Sequence, residues 1–286
     1  MTFVDKSIKK IAEIIKSSYV YWETSEKNGL FQKLDPRLKV IFMIYFIVII
    51  SLLRNVYIEL AMAVFIFALI VLSRLNIFYM YKRILTFTFF FGFLIALPSA
   101  FNVITRGEIV LPVATLSRSY HFWIYSVPKE IGITREGAFG VAMLSLRVAD
   151  SIGLSLLIIH TTPFFEIIRG LKVIRVPDTF LMIIILSYKY IFILVRTVED
   201  MYLAMKSRLV GAVDAGTIRE LIAGRIFFIF KKSQMRYEET YRAMVGRGFS
   251  GDIALYNFRA FTAADAAAAL VLGAFGILFL VVQMCI

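Results

Sequence analysis

Apolar runs close to bilayer length recur along this chain, and they limit its possible folds more than any other feature. Val40 to Leu53 is almost wholly apolar, Val56 to Ser73 is apolar apart from Glu59, and Ile84 to Ala100 is rich in Phe. Ala138 to His160 and Phe261 to Ile286 continue the pattern. A hydrocarbon core about 30 Å thick needs about 20 predominantly apolar helical residues. With 60% of the residues apolar and 15% aromatic, a soluble fold would have to expose far too much apolar surface. The expected fold class is therefore all-α, a polytopic helical membrane protein with about five transmembrane helices.

The net charge of +12 is then read as topology, because Lys and Arg concentrate on the cytoplasmic side of membrane proteins. That reading removes the need for a nucleic-acid partner. One cysteine, Cys285, excludes an intrachain disulfide framework or a cysteine metal site. The segment Phe3 to Lys16 alternates apolar residues with lysines and lacks the single apolar core of a secretory signal. Val4, Ile8, Ile11 and Ile15 fit a basic amphipathic helix, either on the membrane surface or as a solvated leader.

The organisation that follows is a cytoplasmic or interfacial segment 1–39, transmembrane helices in 40–160, a cytoplasmic domain 161–259, and a final membrane helix 260–286. Four crossings from a cytoplasmic N-terminus return the chain to the cytoplasm near Thr161. Thr179 to Val195 is apolar enough to span, but crossing there would place the basic Lys206 to Arg247 outside. It is read as a long helix at or just under the interface. The alanines after Phe261 either permit close helix approach or are ordinary filler.

Residues 199–208 and 238–247 form a repeat. At an offset of 39, Glu199 falls on Glu238, Asp200 on Glu239, Tyr202 on Tyr241, Ala204 on Ala243, Met205 on Met244 and Arg208 on Arg247. Each copy ends in Ala-x-x-x-Arg, which places the small residue and the arginine on one helical face. A small residue lets a partner helix cross closely, and an arginine one turn on can grip a carboxylate with both arms of its guanidinium. Gly248 suits the C′ position after the second copy. Two such ends form a two-pronged basic surface suited to two similar partners; generic acid–base pairing along two amphipathic helices would not require the repeated Tyr and Ala-Met.

These residues resemble the transmembrane T component of energy-coupling factor (ECF) transporters. Leu34-Asp35-Pro36-Arg37-Leu38-Lys39 before the first span, Thr134-Arg135-Glu136-Gly137 leading into the fourth, and Thr161-Thr162-Pro163 leaving it carry the likeness, with the two Ala-x-x-x-Arg motifs. The resemblance implies crossed coupling helices whose Arg208 and Arg247 are each held by one of two cytoplasmic ATPase subunits, supported by Ala204, Ala243 and Gly248. It also implies a separate membrane-embedded S component that binds the substrate, in the cell membrane. One departure is Leu209, where the family often has Gly; Gly211 is the alternative end of that helix. Gly29-Leu30-Phe31-Gln32, the long 101–137 connection and Lys206-Ser207-Arg208 are similar to the cobalt/nickel CbiQ branch.

Nothing points to catalysis or to a cofactor. Gly132 to Gly137 has phosphate-loop glycine spacing, but Ala138 and Phe139 stand where Lys and Ser/Thr are required. His121 and His160 have no clustered partners that would make a metal site. Asp35 reads as a helix N-cap with Pro36 at the first helical position, and Arg37 and Lys39 as cytoplasmic anchors. Arg147 and Asp150 read as a pair on one helix. The alternative is an autonomous secondary transporter in which Arg147, Asp150 and Glu59 line a path, although no inverted repeat of spans accompanies them.

Overall fold

The computed structural model describes residues 29–102, 104–105, 107–115, 120–122, 125–127, 130–208, 215–251 and 261–285. The described chain is dominated by helices: α1 (Pro36–Leu52), α2 (Val56–Leu72), α3 (Ile77–Phe87), α4 (Arg135–Thr161), α5 (Phe164–Leu171), α6 (Asp178–Arg208), α7 (Ala215–Gly246) and α8 (Ala263–Cys285). Helix α3 runs on through a π-helical stretch, Thr88–Leu94, to a short 3-10 turn, Leu97–Ala100. The third membrane helix therefore begins at Ile77, earlier than the Phe-rich run suggests.

Ile77–Leu94, Arg135–Thr161, Asp178–Met201 and Ala263–Cys285 are each long and apolar enough to cross a bilayer. The first two helices have 17 residues each, roughly 25 Å of rise. Tyr188-Lys189-Tyr190 does not interrupt α6, which is helical throughout its 31 residues. The 101–137 connection holds two small antiparallel ladders: β1 (Ile109–Thr115) pairs with β4 (Glu130–Thr134), and β2 (Tyr120–Phe122) pairs with β3 (Tyr125–Val127).

The chain divides into two compact units, with boundaries at Gly170/Leu171 and Phe258/Arg259. In the unit that holds α1 to α4 and α8, the core is aromatic and aliphatic: Phe46, Ile49, Met62, Ile66, Leu154 and Leu157 are buried together. The opposite faces of the same helices expose Ile44, Val48, Leu60, Val64 and Phe67. A helix apolar on all sides belongs in hydrocarbon. Within this unit the close approach in α8 is at Gly276. A Cβ at Gly276 would lie 2.3 Å from the Tyr45 ring, and the Tyr45 hydroxyl donates to the Gly273 carbonyl at 3.2 Å. Helix α5 belongs to this unit up to Gly170, where an added Cβ would meet Val40 at 2.7 Å.

The start of α1 has the form expected of Asp-Pro. Asp35 caps the helix by accepting the Arg37 N–H at 2.8 Å, with Pro36 in the first turn.

Candidate coupling site

The paired Ala-x-x-x-Arg motifs occupy the ends of α6 and α7, which form the second compact unit with the residues around them. The two helices have 31 and 32 residues, each about 45–50 Å long. They touch only over a short stretch, marked by a 2.5 Å hydrogen bond between the Tyr190 and Thr240 hydroxyls. From that contact α6 continues for about 27 Å to Arg208, and α7 for about 10 Å to Arg247.

Ala204 lies on an exposed part of α6, and Arg208 is the last residue of that helix. The Arg208 side chain and residues 209–214, including Leu209 and Gly211, lie outside the described residues. At the end of α7, Ala243, Arg247 and Gly248 are all exposed. Gly248 has φ +82°. Its N–H bonds to the Val245 carbonyl, and the Phe249 N–H reaches back to Met244. This is a Schellman end with glycine at C′, where a side chain would be strained. The helix stops just after Arg247 because Gly248 turns the backbone, and the guanidinium is left projecting from a finished helix end. Just before it, Tyr237 and Tyr241 stack at 6.4 Å. The ion pair of Glu238 with Arg242 at 3.9 Å is exposed at both ends and adds little.

The other signature residues, Asp35, Pro36 and Arg37, belong to the membrane-helix unit and do a different job. The Asp35 N–H donates to the Asp265 carboxylate at 3.1 Å. Asp265 in turn accepts both the N–H and the hydroxyl of Thr262, capping α8. The first and last membrane helices are thus tied together at their starts. Lys39 is 1% exposed and donates to the carbonyls of Gln32 at 3.3 Å and Thr161 at 3.2 Å. It is not the headgroup anchor expected from sequence. It caps the C-terminal end of α4, where unsatisfied carbonyls concentrate.

The Thr134 to Gly137 motif acts at the other end of α4. The Thr134 hydroxyl accepts the Gly137 N–H at 3.1 Å and donates to the carbonyls of Ala100 and Thr105. A Cβ at Gly137 would lie 2.7 Å from the Ser99 carbonyl and 2.8 Å from the Ala100 Cα. Glycine is required there for the close approach of α4 to the end of α3.

Arg147 does not pair with Asp150. Its Nε lies 3.6 Å from Glu59 on α2, and its terminal nitrogen donates to the Leu53 carbonyl at the end of α1. Glu59 and Asp150 are both buried, and it is the Glu59 carboxylate that the packing of α2 brings to the guanidinium. Arg147 is the cation that the packing of α2 on α4 supplies. Glu59 was legible as the lone acid of the second span. Lys39 and Asp265 as buried links were not, since nothing local marks a lysine as buried. Fourteen residues separate the Leu53 and Lys39 contacts along α1, and fourteen separate Arg147 from Thr161 along α4. The two antiparallel helices are thus pinned in register at both ends.

Among the described residues no group of three His, Cys, Asp or Glu could hold a metal. His160 is buried with its ring edge-on to Tyr79, and the His121 side chain lies outside the described residues.

Comparison with known proteins fits this arrangement. Residues 27–256 match the model of the CbiQ family, described as cobalt transport protein. The chain belongs to the CbiQ family. It is 28% identical over 249 residues to the uncharacterised protein MJ1571 of Methanocaldococcus jannaschii, covering 87% of this chain and 81% of that one. It is also 28% identical over 165 residues to the cobalt transport protein CbiQ of Rhodobacter capsulatus, covering 57% of this chain and 65% of that protein. A second M. jannaschii protein, MJ1089, is 23% identical over 221 residues, 77% of each chain. As a CbiQ-family chain with several bilayer-length helices, the protein is a membrane component of a transport system. The matched region contains the three signature motifs at 34–39, 134–137 and 161–163 and both Ala-x-x-x-Arg helix ends.

Proposed function

We propose that this CbiQ-family chain is the coupling subunit of an ECF-type importer, linking two cytoplasmic ATPase subunits to a substrate-binding S component, with cobalt or nickel as the transported ion. The observation that carries the reading is the pair of matching helix ends on α6 and α7, of which the α7 end presents exposed Arg247 immediately before a completed glycine turn. Arg208 and Arg247 each enter a groove on one ATPase subunit and pair with a carboxylate there, while Ala204 and Ala243 admit the groove wall. Crossed rigid helices convert a change in the spacing of the ATPases into rotation about the crossing near Tyr190 and Thr240. The coupling domain and the N-terminus then lie on the cytoplasmic side. ATP hydrolysis belongs to the partner chains.

The buried polar residues of the membrane unit support this division of labour. Arg147 is engaged by Glu59 and by a backbone carbonyl, the arrangement of a clamp between helices and not of an open ion path.

The test is copurification. The tagged chain, solubilised with its native partners, is compared with the Arg208→Glu/Arg247→Glu variant for associated ATPase activity. Activity that follows the wild type and is lost from a variant with unchanged helical content supports the coupling role. A wild type that purifies alone and transports after reconstitution alone overturns it.

A further inference from the structure

Between α6 and α7 the surface forms a groove of about 240 Å3. Its floor is apolar, with Ile183, Leu186 and Ile193 from α6 and Ile229 from α7. Lys232 and Arg236 stand on its wall, and no acidic residue lines it. Among the described residues neither cation is in a salt bridge; the Lys232 ammonium lies 5.9 Å from the centre of the Phe228 ring. Four residues apart on one helix, the two side chains rise from Cβ atoms about 6 Å apart, a spacing that one phosphate group can bridge.

The position of the groove adds a second constraint. Just before Lys232 on α7, Ile226, Phe227, Phe228 and Phe230 are exposed; beyond Arg236 the helix carries Glu238, Glu239 and Arg242. On α6 the apolar run ending at Val195 gives way to Arg196, Glu199 and Asp200. The apolar stretches of both helices thus adjoin the groove. Hydrocarbon fits its floor, and an anion fits its wall.

From this geometry we infer that the groove is a site for one anionic phospholipid, with an acyl chain along the floor between Ile183 and Ile229 and the phosphate between Lys232 and Arg236. The lipid fills the gap between the two helices and neutralises two cations. It is a structural part of the unit that holds α6 and α7. The inference stands independently of the ATPase-docking role.

The full chain, purified in dodecyl maltoside and titrated with dioleoylphosphatidylglycerol or dioleoylphosphatidylcholine, tests the inference by native mass spectrometry. Wild type should retain one phosphatidylglycerol in preference to phosphatidylcholine. Lys232→Gln/Arg236→Gln should weaken retention about thirtyfold, since each cation near an anionic lipid contributes about a fivefold effect. Leu194→Trp, which fills the groove and leaves both cations, should also lose the lipid, whereas Lys232→Arg/Arg236→Lys should keep it. Lys189→Gln/Arg242→Gln, which removes two exposed cations outside the groove, should keep it as well. Equal loss in that last variant, or no preferred phosphatidylglycerol in wild type, overturns the inference. So does a photocrosslinker at position 194 that captures a polypeptide instead of lipid in the copurified complex.

Discussion

Replacement of Lys39 by Met separates two roles for this residue. As a headgroup anchor, Lys39 would be replaceable with a loss under about 0.5 kcal/mol, the scale of a surface substitution. In the structure it is 1% exposed and donates to two carbonyls, at 3.2 and 3.3 Å. A hydrogen bond from a charged donor contributes about 1.5–3 kcal/mol, and a buried carbonyl left without a partner costs about 1–3 kcal/mol. Met fills the space and removes the cost of burying an ammonium, which offsets part of that loss. The expected net is about 3 kcal/mol, or a fall of roughly 6–9 °C in Tm for a protein of this size. The assay is thermal unfolding of the detergent-solubilised chain, with exposed Lys82→Met as the control. A fall of less than about 2 °C for Lys39→Met would refute the reasoning, and Lys39 would then be the anchor that the sequence pattern suggests.

Arg147→Met leaves Glu59 buried without its cation and should lower stability by about 3 kcal/mol; Arg147→Met/Glu59→Leu should recover most of the loss, and a double variant as unstable as the single would remove the pair from the account. Gly137→Val has no room beside the Ser99 carbonyl and the Ala100 Cα and should yield little folded protein, measured by monodisperse recovery on size exclusion. Gly248→Val forces a β-branched residue to φ +82°. It should cost about 1–2 kcal/mol locally and, if the end of α7 docks an ATPase, reduce copurified ATPase activity at least fivefold without loss of helix; unchanged activity would show that the glycine turn does not position Arg247. Asp150→Asn should leave assembly and coupled transport within twofold, because Oδ2 makes no hydrogen bond; abolished transport in a folded variant would favour an intramembrane path.

The residues themselves determined the class of the molecule. Runs of apolar residues near bilayer length admit helices and little else, and Asp35-Pro36, Thr134 and Gly248 stop or start helices through interactions confined to one turn. The repeat at residues 199–208 and 238–247 was equally legible, since a periodic match needs no third dimension. Partner choice was not. Arg147 has Asp150 three residues away, yet it pairs with Glu59 because packing α2 against α4 brings that carboxylate to the guanidinium. Lys39 reads as a boundary lysine until Gln32 and Thr161 fold over it. Asp265 reads as a first-turn acid until its second oxygen meets the Asp35 N–H. Each of these depends on which helices touch and at what depth, a sum over many weak apolar contacts that leaves no local mark on the chain. Local chemistry could specify the helices and their ends, whereas desolvation by neighbours distant in sequence decided which charges meet.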